Sequence, residues 1–307
     1  MGEFTRSFIK IVPSLRQSTS EAVWSVPVLG EKLEIPAGDH KVGVYLHRAD
    51  RTPAPVLFEL HGGGFVLGEA AKDDNLCEII KDRMNIHVVG IDYSKAPEHP
   101  YPQAVEDVMS TLAYFGNHAE LYGMDPERFV LMGFSAGANL AAVASMISGT
   151  EQEYKILAQI LQYPFLDATA DPRGKKRHPA DLPCEIMEAF NDLYAKEEER
   201  SSSHVSPLLA SGEELAKMPE TLILTAEEDA LCEEGMAYAK RLEDHKIPVT
   251  ALKIGHAHHG YIEDYYNKAC YEIMADDMKA AMDPLFGEAA QQAMEQVFQY
   301  LKDRLEK

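Results

Sequence analysis

Strand-like and helical runs alternate along most of the chain, and this predicts an α/β fold, a mostly parallel twisted sheet flanked by helices. Three observations carry the prediction. The candidate strands are near-continuous apolar runs, as strands covered on both faces must be. Each pair of them is separated by a stretch with helical character or by a turn-rich loop. The composition, 46% apolar and 26% charged over 307 residues, is that of a globular chain that buries a sizeable core.

In order, the strands are expected at Lys41–His47, Pro55–His61, His87–Tyr93, Arg128–Phe134, Ile156–Tyr163, Thr221–Ala226 and Val249–Ile254. The helices are expected at Ala71–Met84, Gln103–Asn117, Ala136–Ile147, Glu233–Asp244 and Glu288–Glu306. In sheets of this kind ligands bind beyond the carboxyl ends of the strands, so that edge is where chemistry is expected. Two stretches stand outside the alternation. Residues 1 to about 40 precede the first good strand, and residues 168–218 are polar and helix-prone with no convincing strand. An insertion there leaves the sheet intact and can fold over its active edge as a cap. The chain is read as one domain, 1–307, with a third unassigned feature, the Met- and Asp-containing stretch Glu263–Gly287.

Charge narrows the partners. Lys and Arg number 29 against 50 Asp and Glu, a formal charge of −21. So negative a surface repels phosphate backbones and anionic lipid, which disfavours nucleic acid and membrane surfaces. Cys77, Cys184, Cys232 and Cys270 are scattered, with no CxxC pair, and read as thiols of a reducing compartment. The first ten residues lack the apolar stretch of roughly 7–15 residues that a secretory signal carries. No uncharged apolar run approaches the ~18 residues of a membrane span. The expectation is a soluble cytoplasmic protein.

The strongest local signal is Gly133-Phe134-Ser135-Ala136-Gly137, a G-x-S-x-G pattern between an apolar strand and an Ala-rich helix. A serine at such a junction sits on a sharp turn for which only the flanking glycines make room. The turn lifts its hydroxyl clear of the sheet, and the helix N-terminus favours negative charge beside it. A helix-capping serine fits the pattern too, but the strand before and the helix after favour a nucleophile.

A second motif, His61-Gly62-Gly63-Gly64-Phe65, directly follows another strand. Attack on an ester needs N–H donors where the carbonyl oxygen becomes an anion, and glycine leaves backbone N–H groups unobstructed. Gly63 and Gly64 are the candidate donors, with the N–H of Ala136 as a third. The phosphate-cradle alternative lacks the GxxxxGK[ST] spacing.

A serine hydroxyl also needs a base, and twelve histidines are available. After a nucleophile on this kind of turn, an acid and then a histidine follow, each on a loop after a later strand. The last strand leads into Gly255-His256-Ala257-His258-His259-Gly260-Tyr261. His259 is preferred because Gly260 relieves a tight turn, with His256 and His258 still open. The same cluster is too compact for a familiar metal-ligand spacing. The acid belongs after Thr221–Ala226, where Glu227, Glu228 and Asp229 are equivalent on spacing alone.

Together these motifs resemble the hormone-sensitive-lipase-like family (bacterial family IV) of α/β-hydrolase esterases. The run Asp92-Tyr-Ser-Lys-Ala-Pro-Glu-His-Pro-Tyr-Pro-Gln-Ala-Val-Glu-Asp107 is similar to that family's sequence as well. So are Tyr163-Pro164, Ser206-Pro207-Leu208, Asp229-Ala-Leu-Cys-Glu-Glu-Gly235 and His259-Gly260-Tyr261. The resemblance implies an α/β-hydrolase fold, Ser135 as nucleophile, His259 as base and Asp229 as its orienting acid. It implies Gly63, Gly64 and Ala136 as oxyanion donors, and a cap built from about 1–40 and 168–218. The chain departs from the family pattern at Phe134, Ala138, Ser94-Lys95 and Ala230-Leu-Cys232. Glu98 and His99 read as residues that hold the proline-rich loop.

The expected activity is that of a serine carboxylesterase on short, acetyl-type esters, using a small-molecule substrate and no metal or organic cofactor. A carbohydrate acetyl-ester deacetylase and an amidase or formamidase use the same machinery. A ligand-binding receptor on a dead hydrolase scaffold predicts a missing triad position, and all three are filled. The stretch before the last helix and the sheet edges are the candidate surfaces for a homodimer.

Overall fold

Eight strands form one sheet in the order β1-β2-β4-β3-β5-β6-β7-β8 in a computed structural model of the chain. The structure describes all residues except 24, 26, 149–152, 268–283 and 307. The strands are β1 (Glu31–Ala37), β2 (His40–His47), β3 (Ala54–Leu60), β4 (His87–Asp92), β5 (Met124–Phe134), β6 (Ile156–Gln162), β7 (Glu220–Glu228) and β8 (Val249–His258). The helices are α1 (Glu3–Val23), α2 (Asp74–Met84), α3 (Gln103–Asn117), α4 (Ala119–Tyr122), α5 (Ala136–Ser148), α6 (Cys184–Tyr194), α7 (Gly212–Leu215), α8 (Cys232–Asp244), α9 (Tyr261–Tyr266) and α10 (Pro284–Leu305). β1, β2 and β4 pair antiparallel, and β4 onward through β8 is parallel. All seven expected strands and all five expected helices are present, with ends moved by a few residues.

Alternation along the central strands explains the two-faced core. Val56, Phe58 and Leu60 of β3 and Phe129 and Leu131 of β5 pack with α3, α5 and α8. Leu57 of β3 and Val130, Met132 and Phe134 of β5 face the other way, onto α2 and α10. Successive side chains of a strand point to opposite faces, so an unbroken apolar run supplies both layers at once. Each such buried side chain contributes about 1.5–3 kcal/mol relative to its exposed state. Helix α5 is small-residue rich and buried on nearly every side, which lets it lie close on β5 and β6.

The sequence reading placed residues 31–37 before the first strand, whereas they form the antiparallel edge strand β1. Only Ile35 and Ala37 of that strand are buried, and its charged residues point outward. Residues 1–23 separate from it as α1, which packs on α6 through Phe8, Val12, Ala189 and Leu193. Asp192 on α6 accepts hydrogen bonds from the Thr5 hydroxyl at 2.8 Å and from Arg200 at 2.7 Å. Arg16 fastens α1 to the strand ends, donating to the carbonyls of Val66 and Ala96 at 2.8 and 2.5 Å and to Glu98 at 2.9 Å. Residues 168–218 hold α6, α7 and short 3-10 turns, with no strand among the described residues.

The proline-rich segment after β4 is organised by Asp107, which is buried. Its carboxylate accepts the Ser94 N–H at 2.7 Å and contacts His40 Nε2 at 2.7 Å. Cys77, Cys184 and Cys232 are free thiols, and Cys270 lies outside the described residues. Most of the unassigned stretch 263–287 does so too. Among the described residues no helix is long and apolar enough to cross a membrane.

Candidate active site

The loops after β3, β5, β7 and β8 meet at the carboxyl edge of the sheet, and they carry all six predicted site residues. Ser135 lies between β5 and α5 with φ of 52°, in the left-handed region that costs a non-glycine residue energy. Its conformation is pinned on both sides. The Ser135 N–H donates to the Gln162 carbonyl at 3.0 Å, and its own carbonyl accepts from Phe165 N–H at 3.2 Å.

The glycines around Ser135 are required by close packing. A Cβ at Gly137 would lie 2.0 Å from the Leu60 carbonyl oxygen and 2.5 Å from that of His61. Both are backbone atoms, so neither can swing aside. Gly137→Ala is therefore expected to push β3 off α5, costing at least about 2 kcal/mol as overpacking does. Thermal denaturation should show a lowered Tm and the ester assay a matching loss; an unchanged Tm would contradict this packing.

His259 is the first residue past β8 and bridges two partners. Its Nε2 is 2.8 Å from Ser135 Oγ, and its Nδ1 is 2.8 Å from Asp229 Oδ2. Asp229 is buried, and its other oxygen accepts the Leu231 N–H at 2.9 Å, which fixes the carboxylate plane. Burial alone would lower the pKa of His259. The Asp229 carboxylate outweighs it by charge and hydrogen bond, helped by Glu263 and Asp264, so the imidazole is held above its ordinary value.

The structure separates the candidates that spacing left open. Glu227 and Glu228 are the exposed last residues of β7, and it is Asp229 that reaches His259. His256 is exposed within β8, and His258 turns its Nδ1 to the His259 carbonyl at 2.8 Å. The sequence reading ended this strand at Ile254; it continues to His258 after a register break opposite Glu228.

Gly63, with φ of 127°, and Gly64, with φ of 62°, bend the loop after β3 toward Ser135. The N–H groups of Gly63, Gly64 and Ala136 donate to no partner among the described residues. At Gly64 a Cβ would lie 2.2 Å from the ring of Phe190, so α6 rests directly on this loop. His61 is buried beneath it, stacked on Tyr93 with centroids 4.2 Å apart. Burial, with Lys95 nearby, pushes His61 down to about 4, so it stays neutral and its Nδ1 pairs with the Gly62 carbonyl at 2.7 Å.

Ser135, His259, Gly63 and Gly64 open into a cavity of about 510 Å³. Its far wall is apolar and comes from α1 and α6, with Phe8, Leu15, Ile186, Met187 and Phe190, joined by Phe165. Phe65 also lines the cavity, whereas Phe134 belongs to the core. Tyr163 sits edge-on to His259, centroids 5.1 Å apart. No group of three or more His, Cys, Asp or Glu among the described residues is arranged to hold a metal ion. The residue missed by sequence reasoning is Glu263, whose buried carboxylate reaches the Gly62 N–H at 3.1 Å. Its only sequence signal is a carboxylate one helical turn past the histidine.

Known proteins agree with this architecture. The family described as alpha/beta hydrolase fold matches residues 57–263. The carboxylesterase NlhH of Mycobacterium tuberculosis is 31% identical over 73% of this chain and 72% of its own length. The ethyl acetate hydrolase of Pseudomonas putida is 29% identical over 73% of this chain and 72% of its own. The solved esterase of Pyrobaculum calidifontis superposes with a TM-score of 0.80 at 26% identity, covering 95% of this chain and 92% of that one. With the glycine loop, the serine turn and these relatives in agreement, the chain belongs to the hormone-sensitive-lipase-like esterases of the alpha/beta hydrolase fold and is a carboxylic ester hydrolase.

Proposed function

We propose that the chain hydrolyses short, acetyl-type esters through an acyl-enzyme intermediate on Ser135. The observation that carries this reading is the unbroken line from Ser135 Oγ through His259 to Asp229, with 2.8 Å at each step. His259 Nε2 takes the hydroxyl proton as Oγ bonds to the ester carbonyl carbon, and the carbonyl electrons move onto oxygen. The N–H groups of Gly63, Gly64 and Ala136 receive that oxyanion, a contribution of about 10²–10³ in rate for each donor. As the tetrahedral species collapses, the alcohol leaves with the proton from His259. Water then enters, gives its proton to the same nitrogen and releases the acid, restoring the Ser135 hydroxyl.

Asp229 holds Nδ1–H toward itself, so Nε2 faces Ser135 as an acceptor, and it stabilises the imidazolium formed in each half of the cycle. Acetyl-type preference is supported by Phe190, whose ring lies directly on Gly64 of the donor loop. The ethyl acetate hydrolase among the relatives points the same way. Helices α1 and α6 act as the cap over the cavity, and their apolar wall favours uncharged substrates.

The test is a panel of p-nitrophenyl esters from acetate to decanoate, with p-nitroacetanilide as the matched amide. The expected result is the highest kcat/KM on acetate to butyrate, decline by octanoate, and much slower amide cleavage. Rates that rise with chain length would overturn the acetyl-type assignment. Amide cleavage as fast as ester cleavage would make the chain an amidase.

A further inference from the structure

A buried electrostatic cluster lies directly behind the glycine loop, and the mechanism above does not use it. Glu59 on β3, Lys72 and Asp73 on the 3-10 turn before α2, and Glu263 on α9 converge there. Three buried carboxyl groups meet one half-buried ammonium there, and Lys72 and Glu263 also border the cavity described above. Burial pushes Glu59 and Asp73 well above the carboxylate range; Asp73 and Glu263 add to it at Glu59, Glu263 and Asp264 add to it at Asp73, and Lys72 opposes both. Burial alone would discharge Lys72, but Glu263, Asp73 and Asp264 outweigh it and hold the ammonium charged. Within the cluster Lys72 and Glu263 form an ion pair at 3.3 Å.

The partners of Glu263 show what that pair holds. Glu263 Oε1 accepts the Gly62 N–H at 3.1 Å together with the Lys72 ammonium. Its Oε2 accepts the Tyr163 hydroxyl at 3.2 Å. Gly62 immediately precedes Gly63 and Gly64, and a Cβ on it would lie 2.9 Å from both Glu263 oxygens, so the carboxylate is seated against the bare backbone. Tyr163 follows β6 and packs edge-on to His259. Glu263 itself stands four residues beyond His259, on the short helix that the histidine turn opens into. One carboxylate therefore ties together the glycine loop, the tyrosine beside the imidazole and the turn that carries it.

We infer that Glu263 is a positioning residue, which sets the donor loop at Gly62–Gly64 in register with His259 and is itself held in place by Lys72. The inference rests on the esterase reading given above. Its physical basis is that the hydrogen bond is to a charged acceptor and buried, so it is stronger and more directional than a neutral one. Without it, the Gly62 N–H has no acceptor in a closed space, and the loop must move to find one. A shift of about 1 Å at groups that must meet a developing charge costs on the order of a hundredfold in rate. Glu263 also faces His259 as a negative charge, alongside Asp229 and Asp264, so its removal has a second, pH-dependent signature.

The test compares Glu263→Ala and the near-isosteric Glu263→Gln with the unaltered chain, all as full-length folded protein. Hydrogen exchange reads the loop without any turnover. In Glu263→Ala the amides of Gly62, Val66 and Leu67 should exchange faster, kcat on p-nitrophenyl acetate should fall about a hundredfold, and KM should stay within about threefold. Glu263→Gln, which retains a neutral acceptor for Gly62, should recover part of kcat, while the acidic limb of its pH profile moves to lower pH because one negative charge facing His259 is gone. Unchanged exchange at the three amides in folded Glu263→Ala would overturn the inference. So would a loss of kcat that Glu263→Gln does not recover while its pH profile stays in place. Failure of the esterase reading would appear separately, as absent turnover in the unaltered chain.

Discussion

Ser135→Ala is expected to lower kcat on p-nitrophenyl acetate by about 10⁶, with the fold and Tm essentially kept. The loss is that large because the hydroxyl is the atom that bonds to the substrate carbon, and no neighbour can take its place. His259 and Asp229 remain in position, but an imidazole with no serine proton to take can only activate water from a poorer geometry. A residual rate on the order of 10³–10⁴ over water should survive, supplied by substrate binding and the donors of Gly63, Gly64 and Ala136. Alanine should also relieve no steric conflict, since the left-handed turn is held by the Ser135 N–H to Gln162 and by the surrounding glycines. Retained activity in the folded variant would mean that a different nucleophile operates.

Asp229→Asn is expected to cost about 10⁴ in kcat, the second largest effect. An asparagine amide can present N–H to Nδ1, which turns the imidazole into the tautomer whose Nε2 carries a proton toward Ser135. In that tautomer His259 cannot accept the serine proton. The variant also changes the pH profile, and the sign follows from the groups around the ring. In the parent, the carboxylate of Asp229 holds His259 above the ordinary imidazole value of about 6.5, so activity should be lost as pH falls through a point above that value. Without that carboxylate, burial is the largest remaining influence and it favours the neutral ring. The acidic limb of the residual activity should therefore move to lower pH. A rate profile measured from pH 5 to 9 checks both, and a limb that stays in place would show that Asp229 does not govern the charge of His259.

The parts of the site that were legible in the sequence are those where backbone packing demands a particular residue. Gly137 touches the end of β3, and Gly64 lies under Phe190, so glycine at both positions is a steric record of how the loops meet. Ser135 between them could be read with the same certainty as the strand and helix on either side. The proposed base and acid were harder, because spacing offered three histidines and three carboxylates. What separates them is where the strands stop. β7 runs through Glu228 and β8 through His258, which leaves Asp229 and His259 as the first residues free to turn toward the serine.

Other features left little trace. β1 is charged on its outer face and contains Pro36, so its two buried residues were too few to mark a strand. Phe190 and Phe8 are ordinary apolar positions of amphipathic helices, and nothing in their spacing says that they line the cavity at the candidate site. Glu263 is hard to single out in the sequence, because a carboxylate on a short helix is usually a solvated one. Only the three-dimensional approach of β3, β6 and α9 places it against the Gly62 N–H.

The most direct test of the central claim, covalent catalysis by Ser135, is to treat the protein with ethyl p-nitrophenyl methylphosphonate and map the modified residue by peptide mass spectrometry. The expected result is release of one p-nitrophenol per chain, loss of esterase activity in step with it, and a single phosphonyl group on the peptide containing Ser135. Ser135→Ala should take up none. A stoichiometric adduct on another residue, or full inactivation with Ser135 unmodified, would contradict the account.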